Sequence, residues 1–232
     1  MQAIGGIGPA NAHISGAEEG YHSRGTTGYA GEVGIGRQWG NVLINTGIGY
    51  MVTGRDATYN YWINSPEHPG AHKIVQARKS EHYDHAYIPL SIGYKFFFSE
   101  RLSFIPAIGA LGSLNLRARF TQTDKVNMTN VYHIRLFDLE HTYEGNGLRP
   151  FNKYSLWGTV KVEMAYEMKP GLSMLVGCVY YRMLTSVIDP AGYHANIFPD
   201  RMYNYALLAH LGIRYTIGDN GSRNSMTSCG RW

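Results

Sequence analysis

The chain has 232 residues, of which 28 are glycine and 18 are tyrosine, and charged residues make up only 16%. Soluble domains are about 25% charged, so the composition argues against an ordinary soluble protein, and no apolar run approaches the roughly 20 residues of a transmembrane helix. The formal net charge of +4 comes from scattered lysine and arginine. Without a basic cluster we expect no nucleic-acid partner.

The first 25 residues predict one strand and one loop. Residues 1–10 are rich in glycine and apolar residues and predict a strand, and residues 11–25 are polar and predict a loop. The start of the chain lacks the charged region and apolar stretch of a signal peptide. Because the strand pattern is already under way there, we expect an export signal to precede Met1 in the natural protein.

Two strands with alternating faces follow, over residues 26–39 and 42–52, joined by a tight turn at Gly40-Asn41. Their apolar positions are Tyr29, Val33, Ile35, Trp39, Val42, Ile44, Ile48, Tyr50 and Val52. A period of two with one apolar face indicates a strand between two different environments. Residues 53–82 are rich in Pro, His and Asn and predict a long loop.

A central hairpin spans residues 83–119, with two long strands joined by a polar turn at residues 99–101. Its apolar positions are Ala86, Ile88, Leu90, Ile92, Tyr94, Phe96, Leu102, Phe104, Ile108, Ala110, Leu114 and Leu116. Both strands exceed the roughly 5–6 residues of a globular strand. They reach the roughly 9–11 residues that a tilted strand needs to cross lipid.

The C-terminal half repeats this pattern of strands, tight turns and loops. Its predicted segments are a loop over 120–153, a strand over 154–168, a turn at 169–171, a strand over 172–184, a loop over 185–202 and a strand over 203–217. We therefore predict a barrel domain over 1–217 and a flexible polar tail over 218–232. Cys178 lies on an apolar strand face and Cys229 in the tail, and we expect two free thiols.

These predicted strands number eight, and their connections alternate between tight turns and long loops. That alternation predicts an all-β, eight-stranded antiparallel up-and-down transmembrane β-barrel with short periplasmic turns and long extracellular loops. A soluble lipocalin-like barrel is the alternative, but its apolar ligand cavity would not tolerate the charges on the non-apolar face. We predict that these residues form an ion-pair network in the lumen: Glu32, Lys95, Arg117, Lys161, Glu163, His210 and Arg214.

Three short motifs resemble the small eight-stranded bacterial outer-membrane β-barrel family, also described as the porin family. They are Gly28-Tyr-Ala-Gly31, Tyr87-Ile-Pro-Leu-Ser-Ile-Gly-Tyr94 and Leu211-Gly-Ile-Arg-Tyr215. The resemblance extends over nearly the whole chain. It implies an export signal, a location in the bacterial outer membrane, outer-membrane lipid around the barrel, and loops that face outside.

The predicted loops carry aromatic residues of the kind that dominate protein interfaces. They are Tyr59, Tyr61, Trp62, Tyr132, Phe137 and Tyr143. Because eight strands enclose a lumen that side chains can fill, our leading hypothesis is a non-enzymatic scaffold or accessory subunit of an envelope complex. Its loops or tail would bind other envelope proteins. We expect no cofactor.

Three alternatives stay open at this point. A small pore or transport-related barrel is the first. The second is a lipid A-modifying enzyme, for which Ser80, Glu81, His82 and Asp84 are the nearest polar residues. The third is a metal site, because four histidines cluster around the second long connection, namely His68, His72, His82 and His85. Residues three apart on a strand, such as His82 and His85, point to opposite faces, so we expect no metal.

Overall fold

The computed structural model describes residues 1–15, 22–64, 72–126, 131–132, 152–186 and 201–217. In these ranges the chain forms β-strands: β1 (Gln2–Ser15), β2 (His22–Trp39), β3 (Val42–Asn64), β4 (His72–Tyr94), β5 (Phe96–Phe97), β6 (Leu102–Val126), β7 (Val131–Tyr132), β8 (Tyr154–Lys169), β9 (Leu172–Met183) and β10 (Arg201–Tyr215). Within these ranges, no helix is long and apolar enough to span a membrane.

The long strands close into a ring. Each pairs antiparallel with its neighbours in the order β4-β3-β2-β1-β10-β9-β8-β6, and the pairing of β4 with β6 completes the circle. Setting aside the two-residue strands β5 and β7, this is an eight-stranded up-and-down barrel. The predicted fold class is confirmed.

Tight turns join strands at one end of the barrel, as the sequence predicts. Gly40 and Gly171 have positive φ angles of 57° and 79°, a backbone conformation that glycine adopts without steric cost. In the third short connection the hydroxyl of Ser99 accepts a hydrogen bond from the amide of Leu102 at 3.1 Å. We call this end the short-turn end.

The two faces of the barrel wall differ as predicted. Outward positions are apolar and exposed, for example Ile48 at 70%, Leu211 at 64% and Ile88 at 63% of their accessible surface. A continuous exposed apolar surface of this kind would be unstable in water. We call it the apolar belt, and it is the surface that contacts lipid.

Aromatic residues border the apolar belt. Exposed rings at its two edges are Tyr29, Trp39, Tyr50, Tyr94, Phe96, Phe98, Tyr154, Tyr166 and Tyr215. The position of Tyr83 near a strand end predicts that it also belongs to this aromatic border, and that prediction is wrong. Tyr83 is only 2% exposed because it shares the inward parity of β4 with His85 and Tyr87.

β3, β4 and β6 continue furthest beyond the belt, where the sequence predicts loops over 53–82 and 120–153, and β1 and β2 also extend into the predicted loop over 11–25. β3 and β4 each have 23 residues and β6 has 25, whereas β9 on the opposite wall has 12. We call their extension the projecting sheet, namely residues 53–64, 72–84 and 117–126. The loop prediction fails because a sheet in water tolerates polar residues on both faces, so no apolar alternation marks these strands.

Candidate functional site: the lumen and the projecting sheet

Glu163 is the centre of an ionic layer in the lumen. Its carboxylate oxygens lie 3.1 Å from Nζ of Lys161, 3.2 Å from Nε2 of His210 and 3.1 Å from Nη2 of Arg214. Glu163 and His210 both pair in register with Gly177, which stands between them on β9. Because Gly177 has no side chain, the side chains of Glu163 and His210 meet across it.

Gln2 links this layer to a second carboxylate. Its side-chain oxygen accepts a hydrogen bond from Nη2 of Arg214 at 3.1 Å, and its side-chain nitrogen donates to Glu32 at 3.4 Å. Five predicted lumen residues thus come together: Glu32, Lys161, Glu163, His210 and Arg214. Sequence reasoning missed Gln2, although its position on the inward face of β1 was a usable signal.

The other two predicted lumen residues lie elsewhere. Lys95 is at the short-turn end, where its ammonium group lies 4.8 Å from the centroid of the Phe97 ring. Arg117 is wrong as a lumen residue. The pairing of β4 with β6 passes from Asp84↔Arg117 to His85↔Asn115, so Leu116 forms a bulge. The bulge shifts the alternation by one residue and places Arg117 on the outer face.

Apolar and aromatic side chains fill the lumen on both sides of the ionic layer. Near the short-turn end these are Leu43, Ile105, Ala165 and Leu175. Toward the projecting sheet they include Met51, Leu111, Trp157, Met183 and Leu208. A cavity of about 20 Å³ remains beside Glu32, Tyr87 and Lys161, which is room for about one water molecule. The lumen is packed like a core and is no open channel in the described part of the barrel.

A second buried ion pair lies where the barrel wall passes into the projecting sheet. Nε of Arg55 donates to Glu81 at 2.5 Å, and the hydroxyl of Tyr83 donates to the same carboxylate at 2.9 Å. Sequence reasoning missed this pair because both partners fell in a predicted loop. The signal was the continued alternation of Glu81 and Tyr83 with the inward residues of β4.

Of the residues considered for catalysis and metal binding, Glu81 and His85 face inward, whereas Ser80, His82 and Asp84 have the outward parity of β4. His82 is exposed on the outer face and His85 is buried in the lumen, where its Nε2 lies 3.3 Å from the hydroxyl of Thr53. Glu81 faces inward to Arg55, whereas Asp84 has the outward parity. His72 lies in β4 and His68 lies outside the described residues. No group of three metal-ligating side chains occurs among the described residues.

The predicted loop aromatics have mixed outcomes. The backbone places Tyr59, Tyr61 and Trp62 in β3 and Tyr132 in β7, so these four are strand residues. Phe137 and Tyr143 lie outside the described residues, as does the predicted tail over 218–232.

Together, the closed ring, the apolar belt and the filled lumen with its ionic layer define an outer-membrane-type β-barrel. The chain spans the membrane with its strands, and barrels of this type lie in the bacterial outer membrane.

Solved structures similar to the chain are themselves outer-membrane proteins. Neisserial surface protein A has 12% identity and a TM-score of 0.41, with 92% of this chain and 96% of that chain covered. The outer membrane protease OmpT from Escherichia coli has 11% identity and a TM-score of 0.38, with 93% and 96% covered. The attachment invasion locus protein Ail of Yersinia pestis has 8% identity and a TM-score of 0.29, with 92% and 95% covered.

No protein-family model and no curated protein matches the chain. With TM-scores of 0.41 or less among these three structures, the similarity carries no argument about function. The architecture rests on the strand pairing and the belt of this chain.

Proposed function

We propose that the protein is a non-enzymatic, membrane-embedded scaffold or accessory subunit of an envelope protein complex, and that its projecting sheet binds a protein partner. The observation that carries this proposal is the asymmetry of the barrel wall. β3, β4 and β6 have 23, 23 and 25 residues, whereas roughly 9–11 residues cross a membrane. The extra length builds a sheet outside the membrane, on one side of the barrel.

The pairing of β6 supports a binding role for this sheet. Beyond Asn115, whose amide donates to the carbonyl of Lys153 at 2.8 Å, the described residues give β6 a second neighbour only at Asp124 and Lys125. We propose that a partner protein adds a strand to the sheet along this stretch, through backbone hydrogen bonds.

The filled lumen favours an anchor over the runner-up, a small pore or transport-related barrel. Ions would have to pass the layer around Glu163 and two apolar layers that pack closely on either side of it. A lipid A-modifying enzyme is the weaker alternative. Of the polar side chains considered for that chemistry, Glu81 faces inward to Arg55, whereas Ser80, His82 and Asp84 share the outward parity of β4.

Photo-crosslinking in intact cells tests the proposal. A photoreactive amino acid is placed at Tyr61 in the projecting sheet and, as the matched control, at Phe98 near the short-turn end. We expect a discrete crosslinked protein from Tyr61 that is absent from Phe98, and mass spectrometry would identify it. Crosslinks to lipid alone at Tyr61, or the same protein captured from both positions, would contradict the proposal.

A further inference from the structure

The ring of Tyr87 extends across the lumen toward Glu32, and a glycine makes this possible. Gly49 on β3 pairs in register with Glu32 on β2 and with Tyr87 on β4. A Cβ atom at Gly49 would overlap the ring of Tyr87, so the ring lies where a side chain of β3 would otherwise stand. The hydroxyl of Tyr87 is thereby brought toward β2 and Glu32.

This hydroxyl is a buried polar group without a direct hydrogen bond. Tyr87 is 3% exposed, and in the described part of the chain its hydroxyl completes no hydrogen bond. Glu32 and the hydroxyl of Tyr181 are the polar groups that face it. Because a buried hydroxyl without a hydrogen bond is costly, a group that bridges Tyr87 to one of these neighbours would be favourable.

The cavity in the lumen lies at this point. It has a volume of about 20 Å³, and polar side chains contribute to its lining, namely Glu32, Tyr87, Lys161, Tyr181 and His210. The side chain of Lys161 is 13% exposed although it faces the lumen, so a molecule of the size of water can reach it. A buried water molecule needs about this volume and roughly two to four polar partners. The cavity meets both requirements.

We infer that this cavity is a binding site for one ordered water molecule, which joins Tyr87 to Glu32. The hydroxyl of Tyr87 donates a hydrogen bond to the water, and the water donates one to the carboxylate of Glu32. A metal cation is disfavoured at the same place, because the ammonium group of Lys161 lines the cavity and like charges repel.

The water extends the polar network of the ionic layer. Gln2 already links Glu32 to Arg214, and the water adds Tyr87 on β4 to this network. The wall segment formed by β3 and β4 is thereby tied to the layer around Glu163. This inference does not depend on the role proposed for the projecting sheet.

A crystal structure of the refolded full chain, at a resolution that shows ordered water, tests the site directly. We expect a water molecule within hydrogen-bond distance, about 2.7–3.0 Å, of the Tyr87 hydroxyl and of one carboxylate oxygen of Glu32. A direct hydrogen bond from Tyr87 to Glu32 or Tyr181, a metal ion in the cavity, or a cavity without electron density would overturn the inference.

The variant Tyr87→Phe gives a second test, since it removes the hydroxyl and keeps the ring. We expect the equilibrium constant for unfolding, measured by urea unfolding in lipid vesicles, to increase about fivefold because the water loses a partner. The matched control Tyr215→Phe removes a hydroxyl from a ring that is 52% exposed and should change the constant little. An unchanged or smaller constant for Tyr87→Phe, or an equal increase in the control, would contradict a bound water at Tyr87.

Discussion

Glu163 holds together the charges that the lumen encloses. It is 1% exposed and contacts Lys161, His210 and Arg214 on two strands. Charges withdrawn from water are tolerated when they are paired, and removing one partner leaves the others without compensation. The side chain of Glu163 therefore contributes more to the stability of the barrel than the side chain of a surface glutamate does.

We predict that Glu163→Gln lowers the free energy of unfolding by about 3–5 kcal/mol, because Lys161 and Arg214 lose their shared carboxylate. Urea unfolding of the refolded protein in lipid vesicles, followed by tryptophan fluorescence, measures this. The control Glu100→Gln makes the same chemical change in an exposed turn and should cost less than about 0.5 kcal/mol. Similar losses in the two variants would contradict a central role for Glu163.

Some residues of the lumen could be predicted from the sequence, and others could not. Glu32, Glu163 and Arg214 were predictable, because strict alternation carries each of them from a visible apolar face to the opposite one. The outward position of Arg117 was not predictable, because a bulge arises from the pairing of two strands and cannot be recognised in the sequence of one strand. Arg55 was missed because this part of its strand lies outside the membrane and has no apolar face from which the inward positions could be assigned.

The hairpin of β3 and β4 has two parts that lie in different environments. Its membrane part, up to the pair Gly49↔Tyr87, contributes to the belt and the lumen. Its outer part, up to Asn64↔His72, belongs to the projecting sheet. The membrane part was predictable because lipid requires an apolar face. The outer part meets no such requirement, so its polar sequence resembles a loop.

We predict that the tip of this hairpin, residues 60–76, is dispensable for folding. Tyr59 and Ala77 are partners in register, so replacing residues 60–76 by an Asn-Gly turn closes the hairpin without changing its register. The shortened chain should still show a gel mobility that changes on boiling. The control closes the hairpin at Gly49 and Tyr87 and should not fold, because residues that line the lumen are lost. Failure of the first variant to fold would contradict the division into two parts.

At the scale of the whole molecule, the barrel is a closed wall around a packed interior. Hydrogen bonds join every long strand to two neighbours, so the ring leaves no unpaired edge at the depth of the belt. The ionic layer and the apolar layers then occupy the space inside. A wall of this kind anchors a protein in lipid and separates two compartments.

We predict that the purified, folded protein does not conduct ions in planar lipid bilayers, because the packed side chains leave no continuous water-filled path. Single-channel recording across a range of voltages measures this, with the unfolded protein as the control for leakage through disturbed lipid. Stable, uniform current steps from the folded protein would favour the pore hypothesis over the anchor.

The membrane-barrel architecture is tested most directly by fractionating cells and comparing the gel mobility of the protein before and after boiling in detergent. A closed ring resists detergent until heat opens it, so we predict that the unboiled protein is recovered in this fraction and migrates differently from the boiled one. Recovery in the soluble fraction with the same mobility before and after boiling would contradict a membrane barrel.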